Sequence, residues 1–273
     1  MDPPGRPTER ARFLRPPALD GVEALHATFV RHRYTAHIHD ALTIAHVDRG
    51  AATFDLDGSR HVAPAGTVFL IPPQAVHTGE PVTSSGYTYR VLYLDPGELA
   101  ARSDEAIAPS DLSRTPIVVR WPVLARALRR MHATLVGGGR SLESGEALLD
   151  VAGAVRRVIG HDPLSPLRFA HPAVRRARDF IHGHWREDFT LDDLARAAGG
   201  SPFHVARTFR AQVGMPPSAY RRALRVQAAQ RLLREGQDIA TVAADCGFYD
   251  QSHLNRHFRR ATGVTPGRYA AAR

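Results

Sequence analysis

The sequence predicts an α+β chain of more than one domain: an antiparallel β-barrel with helices, followed by an all-α domain. Three observations carry that prediction. Residues 23–95 contain short β-type runs separated by turn dipeptides. After Pro116 the apolar residues recur at spacings of three and four, the period of a helix. From about residue 170 to the C-terminus one helical unit is written twice. With 273 residues, 43% hydrophobic and 23% charged, the chain is long enough for two cores and too apolar for a disordered polymer.

Residues 1–22 are Pro- and Arg-rich and predict a flexible arm without the apolar stretch of a signal peptide. Next comes the barrel, 23–110. LTIAHV (42–47) is a strand ending at Asp48-Arg49-Gly50, and FDL (54–56) is another, closed by the tight turn Asp57-Gly58. VFLI (68–71) stops at Pro72-Pro73, and YTYRVLYL (87–94) alternates before Asp95-Pro96-Gly97. A helical segment, 111–165, follows. Leu124, Leu128, Met131 and Leu135 form one stripe, broken by Gly137-Gly138-Gly139, and Leu148, Val151, Val155 and Ile159 form a second. Those stripes fit either a cover over the barrel or a face for a second copy of the chain. His161–Pro166 is the expected linker.

Residues 170–273 hold the repeat. Leu191, Leu194, Ala195 and Gly199 match Ile239, Val242, Ala243 and Gly247 at an offset of 48. His204, Val205, Arg207, Phe209, Gly214, Pro217 and Tyr220 match His253, Leu254, Arg256, Phe258, Gly263, Pro266 and Tyr269 at 49. Each copy predicts a short helix, a Gly-containing turn and a second helix, the helix-turn-helix arrangement. Thr190 with Asp193 resembles a capping box. Ser201, Asp238 and Asp250 are N-cap residues, and Leu191, Leu194, Ala195 and Ala198 form an apolar face. Between the copies, Tyr220, Leu224, Ala228 and Leu232 are spaced by four, which predicts one rigid linker helix.

The formal net charge is +9, and all 36 basic residues are arginine. Residues 172–273 carry 17 Arg against 9 acids, residues 1–171 carry 19 against 18, so the excess sits in the repeat. Such asymmetry points to nucleic acid as the partner of that half. Opposite the buried Val205 and Phe209 lie Phe203, Ala206, Arg207 and Arg210. Opposite Leu254 and Phe258 lie Gln251, Ser252, His253, Asn255 and Arg256, with Arg259 and Arg260 beyond. Gln and Arg reach base edges in pairs of hydrogen bonds, and the remaining Arg suit phosphates. Two readers on one rigid helix could enter successive major-groove segments roughly 34 Å apart.

These residues resemble the AraC/XylS family of transcriptional regulators. The likeness covers 171–273 and rests on LDDLARAAG (191–199), SPFHVARTFRAQVG (201–214) and ADCGFYDQSHLNRHFRRATGVTPGRYA (244–270). It implies base-facing positions at Phe203, Ala206 and Arg207 in the first reader and at Gln251, Ser252, His253 and Arg256 in the second. Ala206 departs from the pattern, since it can offer at most contact with a thymine methyl group.

In the N-terminal half, His37 and His39 are two apart on a strand, and His77 ends GTVFLIPPQAVH (66–77). The pattern resembles a cupin fold, a cupin-like sensor barrel being common in this family. His37, His39, His77 and Tyr93 are the expected effector-binding residues. Three imidazoles could instead hold a divalent metal or be structural. Metal-binding cupins usually carry Glu where this chain has Thr43. No catalytic set is expected: there is no paired carboxylate and no nucleophile beside a base. The lone Cys246 is expected in the core.

The reading is a one-component regulator, not an enzyme, with double-stranded promoter DNA and a small-molecule effector as partners and no cofactor. A homodimer is a further expectation, as is RNA polymerase if the protein activates. No run of 18 apolar residues predicts a membrane span, and the chain reads as cytoplasmic. The alternative is a metal-dependent cupin enzyme fused to a DNA-binding module.

Overall fold

The computed structural model describes residues 8–17, 19–56, 58–101, 118–137, 141–159 and 171–272. The linker expected at 161–166 and the break at Gly138-Gly139 lie outside them. The barrel strands are β1 (Arg10–Leu14), β2 (Val22–Phe29), β3 (Tyr34–His37), β4 (Leu42–Leu56), β5 (Ser59–Pro64), β6 (Val68–Ile71), β7 (His77–Pro81), β8 (Tyr87–Leu94) and β9 (Val118–Val119). Among the described residues every pairing is antiparallel, along the path β1-β2-β8-β4-β6-β9, with β5 and β7 on the far half of β4 and β3 on β7.

Two sequence expectations change here. Residues 10–14 are not part of a free arm: they form β1, in register with β2 from Arg10↔Thr28 to Leu14↔Ala24. Nor does a strand end at Asp48-Arg49-Gly50. The chain runs through as one 15-residue strand, with a bulge against β8 between Val47 and Arg49. Gly50 makes the passage possible. It has φ +70°, and a Cβ there would stand 2.2 Å from the Gly86 carbonyl oxygen. A glycine inside a strand often marks such a bend, and here it carries β4 from its β6 pairing to its β5 and β7 pairings.

Helix α1 (Pro96–Ala101) follows β8, and α2 (Pro122–Val136) and α3 (Ser141–Ile159) cover the outer face of the sheet. The stripe residues Leu124, Leu128, Met131, Leu148, Val151 and Val155 pack on Leu42, Ile44, Leu70 and Leu92. Both stripes thus serve the barrel, and among the described residues Val123 and Val136 of α2 and Leu142 and Leu149 of α3 are the large apolar side chains exposed on that layer.

The C-terminal domain comprises α4 (Pro172–His184), α5 (Leu191–Ala198), α6 (Pro202–Val213), α7 (Pro217–Arg234), α8 (Ile239–Asp245), α9 (Gln251–Thr262) and α10 (Pro266–Ala270). Local chemistry sets the boundaries. Thr190 and Asp193 form a reciprocal capping box, Ser201 and Asp250 accept the backbone N–H three residues on, and Asp238 caps α8. Gly199, Gly214 and Gly263 end α5, α6 and α9 in the left-handed region. Leu191 does not join the apolar face expected of it and is 43% exposed at the first turn of α5.

Candidate functional site

The repeat is a repeat of packing. Phe209 and Tyr220 meet edge-on at 5.6 Å in the first unit, and Phe258 and Tyr269 at 5.3 Å in the second, all four buried. Each turn is clamped by an arginine from the preceding long helix. Arg176 donates to the Ala198 carbonyl at 2.9 and 2.6 Å, and Arg225 donates to the Gly247 carbonyl at 2.6 Å. These pairs are also 49 apart, so the repeat begins earlier than its first matched leucine. Arg225 of α7 further donates to the Trp185 and Arg186 carbonyls and so ties both units to the linker helix.

That packing presents α6 and α9 to solvent. On α6, Phe203, Arg207 and Arg210 are exposed and Ala206 is half-buried; the Arg207 guanidinium sits 5.5 Å over the Phe203 ring. On α9, Gln251, Ser252, Asn255, Arg256, Arg259 and Arg260 are exposed. His253 is turned back instead. Its Nδ1 accepts from the Tyr249 amide at 3.2 Å, and its ring packs at 4.7 Å from His257. Burial first, then Arg222 and neighbouring positive groups, pushes His257 down to about 4, so it adds no charge at neutral pH.

Inside the barrel His37, His39 and His77 come together, with ring centroids 4.1 Å apart for His37–His77 and 4.8 Å for His39–His77. Each Nδ1 lies 2.8–2.9 Å from a backbone carbonyl, of Thr35, Ala41 and Ala75 respectively. A carbonyl can only accept, so each Nδ1 carries the proton and each Nε2 is an acceptor. Burial is the main cause that pushes His37 down to about 3 and His39 to about 4, and it holds His77 well below its ordinary value. All three rings are therefore neutral at pH 7.

Thr43 explains why the missing carboxylate matters: its hydroxyl lies 2.8 Å from His39 Nε2 and fills that lone pair. The donor set does not fit a metal. Among the described residues no three His, Cys, Asp or Glu side chains have an arrangement that could hold one. The cavity lined by this cluster measures about 40 Å³ and has Tyr93 in its wall, as well as Tyr34, Tyr87 and Tyr89, which sequence reasoning missed. Their signal was present: residues 87, 89 and 93 share one face of an alternating strand. Tyr34 and Tyr89 hydroxyls meet at 2.8 Å. Burial drives all four tyrosines up, so they are neutral too.

Cys246 is fully buried, and burial pushes its thiol up to about 11, which makes it an unreactive core residue. No helix among the described residues is long and apolar enough to cross a membrane.

A sensor-type barrel joined to two arginine-faced helix-turn-helix units defines a class, the ligand-responsive DNA-binding regulators. The comparisons agree. A profile described as an AraC-like ligand binding domain matches residues 21–152, and one described as a helix-turn-helix domain matches residues 194–272. The chain belongs to the AraC family of transcriptional regulators and carries its ligand-binding domain.

It is 25% identical over 238 residues to the uncharacterized regulator YbfI of Bacillus subtilis, covering 85% of this chain and 86% of that protein. It is 26% identical over 231 residues to the arabinose operon regulatory protein of Salmonella typhimurium, covering 82% and 81%. ToxT of Vibrio cholerae O395 shares the fold, with a TM-score of 0.57 at 12% identity over 92% of this chain and 98% of that one. The ligand-binding match spans residues 21–152, from the barrel into α3.

Proposed function

We propose that α6 and α9 read two segments of a promoter and that a small molecule in the barrel cavity sets their affinity for it. Phe203, Ala206, Arg207 and Arg210 form the first reading surface, and Gln251, Ser252, His253, Asn255 and Arg256 the second. His253, held by the cap, acts more as a positioner than a base reader. The carrying observation is the duplicated, capped and arginine-clamped helix pair whose outer faces stay open beside the barrel.

His37, His39, His77 and Tyr93 form the effector site. Among the described residues the cavity wall holds no charged side chain, and His37 and His77 offer Nε2 lone pairs. It suits an uncharged ligand with hydroxyl or amide donors. The ToxT structure with a bound unsaturated fatty acid (TM-score 0.55, 13% identity) concerns a ligand with a carboxylate, for which this cavity offers no cation. At about 40 Å³ the space holds only a few waters, so an effector must widen it. That work comes from differential affinity, and effector and DNA must change each other's affinity by the same factor.

In this reading the protein is no enzyme and works in the cytoplasm. It pairs with a second copy through the outer face of α3, where Leu142 and Leu149 are exposed, and meets RNA polymerase if it activates.

The test is Arg256→Ala. Selection of bound fragments from random duplexes should return a motif for the native chain. The variant should lose preference at one or two positions of it, each worth about 1–3 kcal/mol, while still binding DNA. Unchanged preference would sink the assignment of α9 as a reader.

A further inference from the structure

Beside α9 the barrel supplies a basic turn that the DNA-reading surface does not include. Residues 30–33 link β2 to β3 and read Val-Arg-His-Arg. The turn is pinned from two sides. Glu9 Oε1 accepts the backbone N–H groups of Val30, Arg31 and His32 at 3.2, 2.6 and 2.6 Å. The flanking Phe29 and Tyr34 pack against Gly263 at the end of α9, so closely that a Cβ there would stand 3.0 Å from the Phe29 ring and 2.6 Å from the Tyr34 hydroxyl.

Between turn and helix lies an open cleft of about 510 Å³, walled by Arg31 and His32 on the barrel side and by Asn255, Arg256, Arg259 and Arg260 on the helix side. Among the described residues Arg31, Arg256, Arg259 and Arg260 form no ion pair, whereas Arg33 is held by Glu80. Glu9 is the one acid of the wall among the described residues, and its carboxylate is engaged by the three amides of the turn. Charges of one sign around a concavity focus their field and repel each other until an anion enters.

We propose that this cleft is a phosphate site of the sensor domain: when α9 lies in the major groove, the DNA backbone beside its C-terminal half is gripped by Arg31 of the barrel together with Arg259 and Arg260. The proposal rests on α9 being a DNA reader. It makes the sensor domain a direct partner of DNA, in the domain arrangement seen here.

The experiment uses the full chain, a duplex recovered by selection and a scrambled duplex of equal length, with affinity measured across a salt series. Arg31 is exposed, so Arg31→Ala should keep the native melting temperature. It should weaken both duplexes by the same factor, roughly threefold or more, and reduce the slope of log affinity against log salt by about 0.9, one phosphate contact. Arg31→Glu should weaken both further.

Unchanged affinity and slope in Arg31→Ala, alongside weaker binding by Arg259→Ala, would overturn the proposal and leave α9 a reader that works without the barrel. Altered sequence preference in Arg31→Ala would also overturn it, by making Arg31 a base contact. Failure of the underlying reading looks different: there Arg256→Ala leaves the preference untouched.

Discussion

His37 and His77 are buried and His39 is half-buried; desolvation favours the neutral form of all three, and neutrality is a pH-dependent property. Their folded values lie below the ordinary 6.5, to about 3 for His37 and about 4 for His39. The unfolded chain therefore binds more protons than the folded chain between pH 6.5 and those values. Stability is unaffected above pH 6.5 and falls as pH drops through the window, by at most about 1.4 kcal/mol per pH unit for each ring. Melting temperature measured from pH 7.5 to 5 should fall below 6.5, and the fall should be shallower in His37→Gln. An equal slope in the variant would mean the ring is hydrated. The sequence showed these three histidines sharing a barrel but left metal, effector and structural roles open. The structure adds the Thr43 hydroxyl 2.8 Å from His39 Nε2, a contact across four residues that strand spacing does not specify.

At the scale of elements, the C-terminal helices were legible almost to the residue, because their ends are set by local chemistry: a side-chain cap at the start and a glycine at the stop. The barrel was less so. β4 read as two strands because Asp48-Arg49-Gly50 has turn composition, and only pairing with β8 on one side and β5 on the other carries the chain through. β1 was hidden because an edge strand of five residues next to prolines has no period of its own to display.

Gly263 shows how an element's end is also a joint. Gly214 and Gly263 hold equivalent places in the repeat, with φ +85° and +77°. A Cβ at Gly214 would meet Val76 at an ordinary 3.5 Å, while one at Gly263 would collide with Tyr34 and Phe29. Gly214→Ala should cost about 1 kcal/mol for its backbone conformation alone. Gly263→Ala should cost a further 1–3 kcal/mol or so for the overpacked joint. Equal losses in denaturant unfolding would mean the joint yields freely.

Across the whole molecule, the two tyrosines of the repeat find different partners. Tyr220 Oη is 2.9 Å from Arg178 Nε and from His182 Nε2, inside its own unit. Tyr269 donates to Glu23 of the barrel at 2.7 and 3.0 Å, and Arg15 holds the same carboxylate at 3.0 Å. Burial, with the Glu23 charge, keeps the Tyr269 hydroxyl protonated. The Phe13 ring lies 4.9 Å from Tyr269 and 6.1 Å from Tyr93 in the barrel cavity, which gives a packed line from that cavity to the second helix-turn-helix unit.

Tyr269→Phe should therefore lower stability by about 1–3 kcal/mol, since it leaves a buried carboxylate short of a donor, and should shrink the effect of effector on DNA affinity. Tyr220→Phe should lower stability and leave that linkage intact. DNA affinity with and without effector decides between them, and equal linkage in both variants would remove Tyr269 from the coupling.

The sequence by itself determined the two-part architecture, the duplicated helix pairs, their caps and the concentration of arginine on the second half. Those features are local or periodic, and they survive being read one residue after another. The tertiary structure decided which arginines hold carbonyls rather than face solvent, that the helical stripes serve the barrel, that the histidine cluster is neutral and closed by threonine, and that the second helix-turn-helix unit is tied to Glu23 of the barrel. The threonine closes on a histidine four residues away through a side-chain contact that strand spacing does not specify; the other features bring together groups far apart in the chain, and no spacing in a sequence encodes such a meeting.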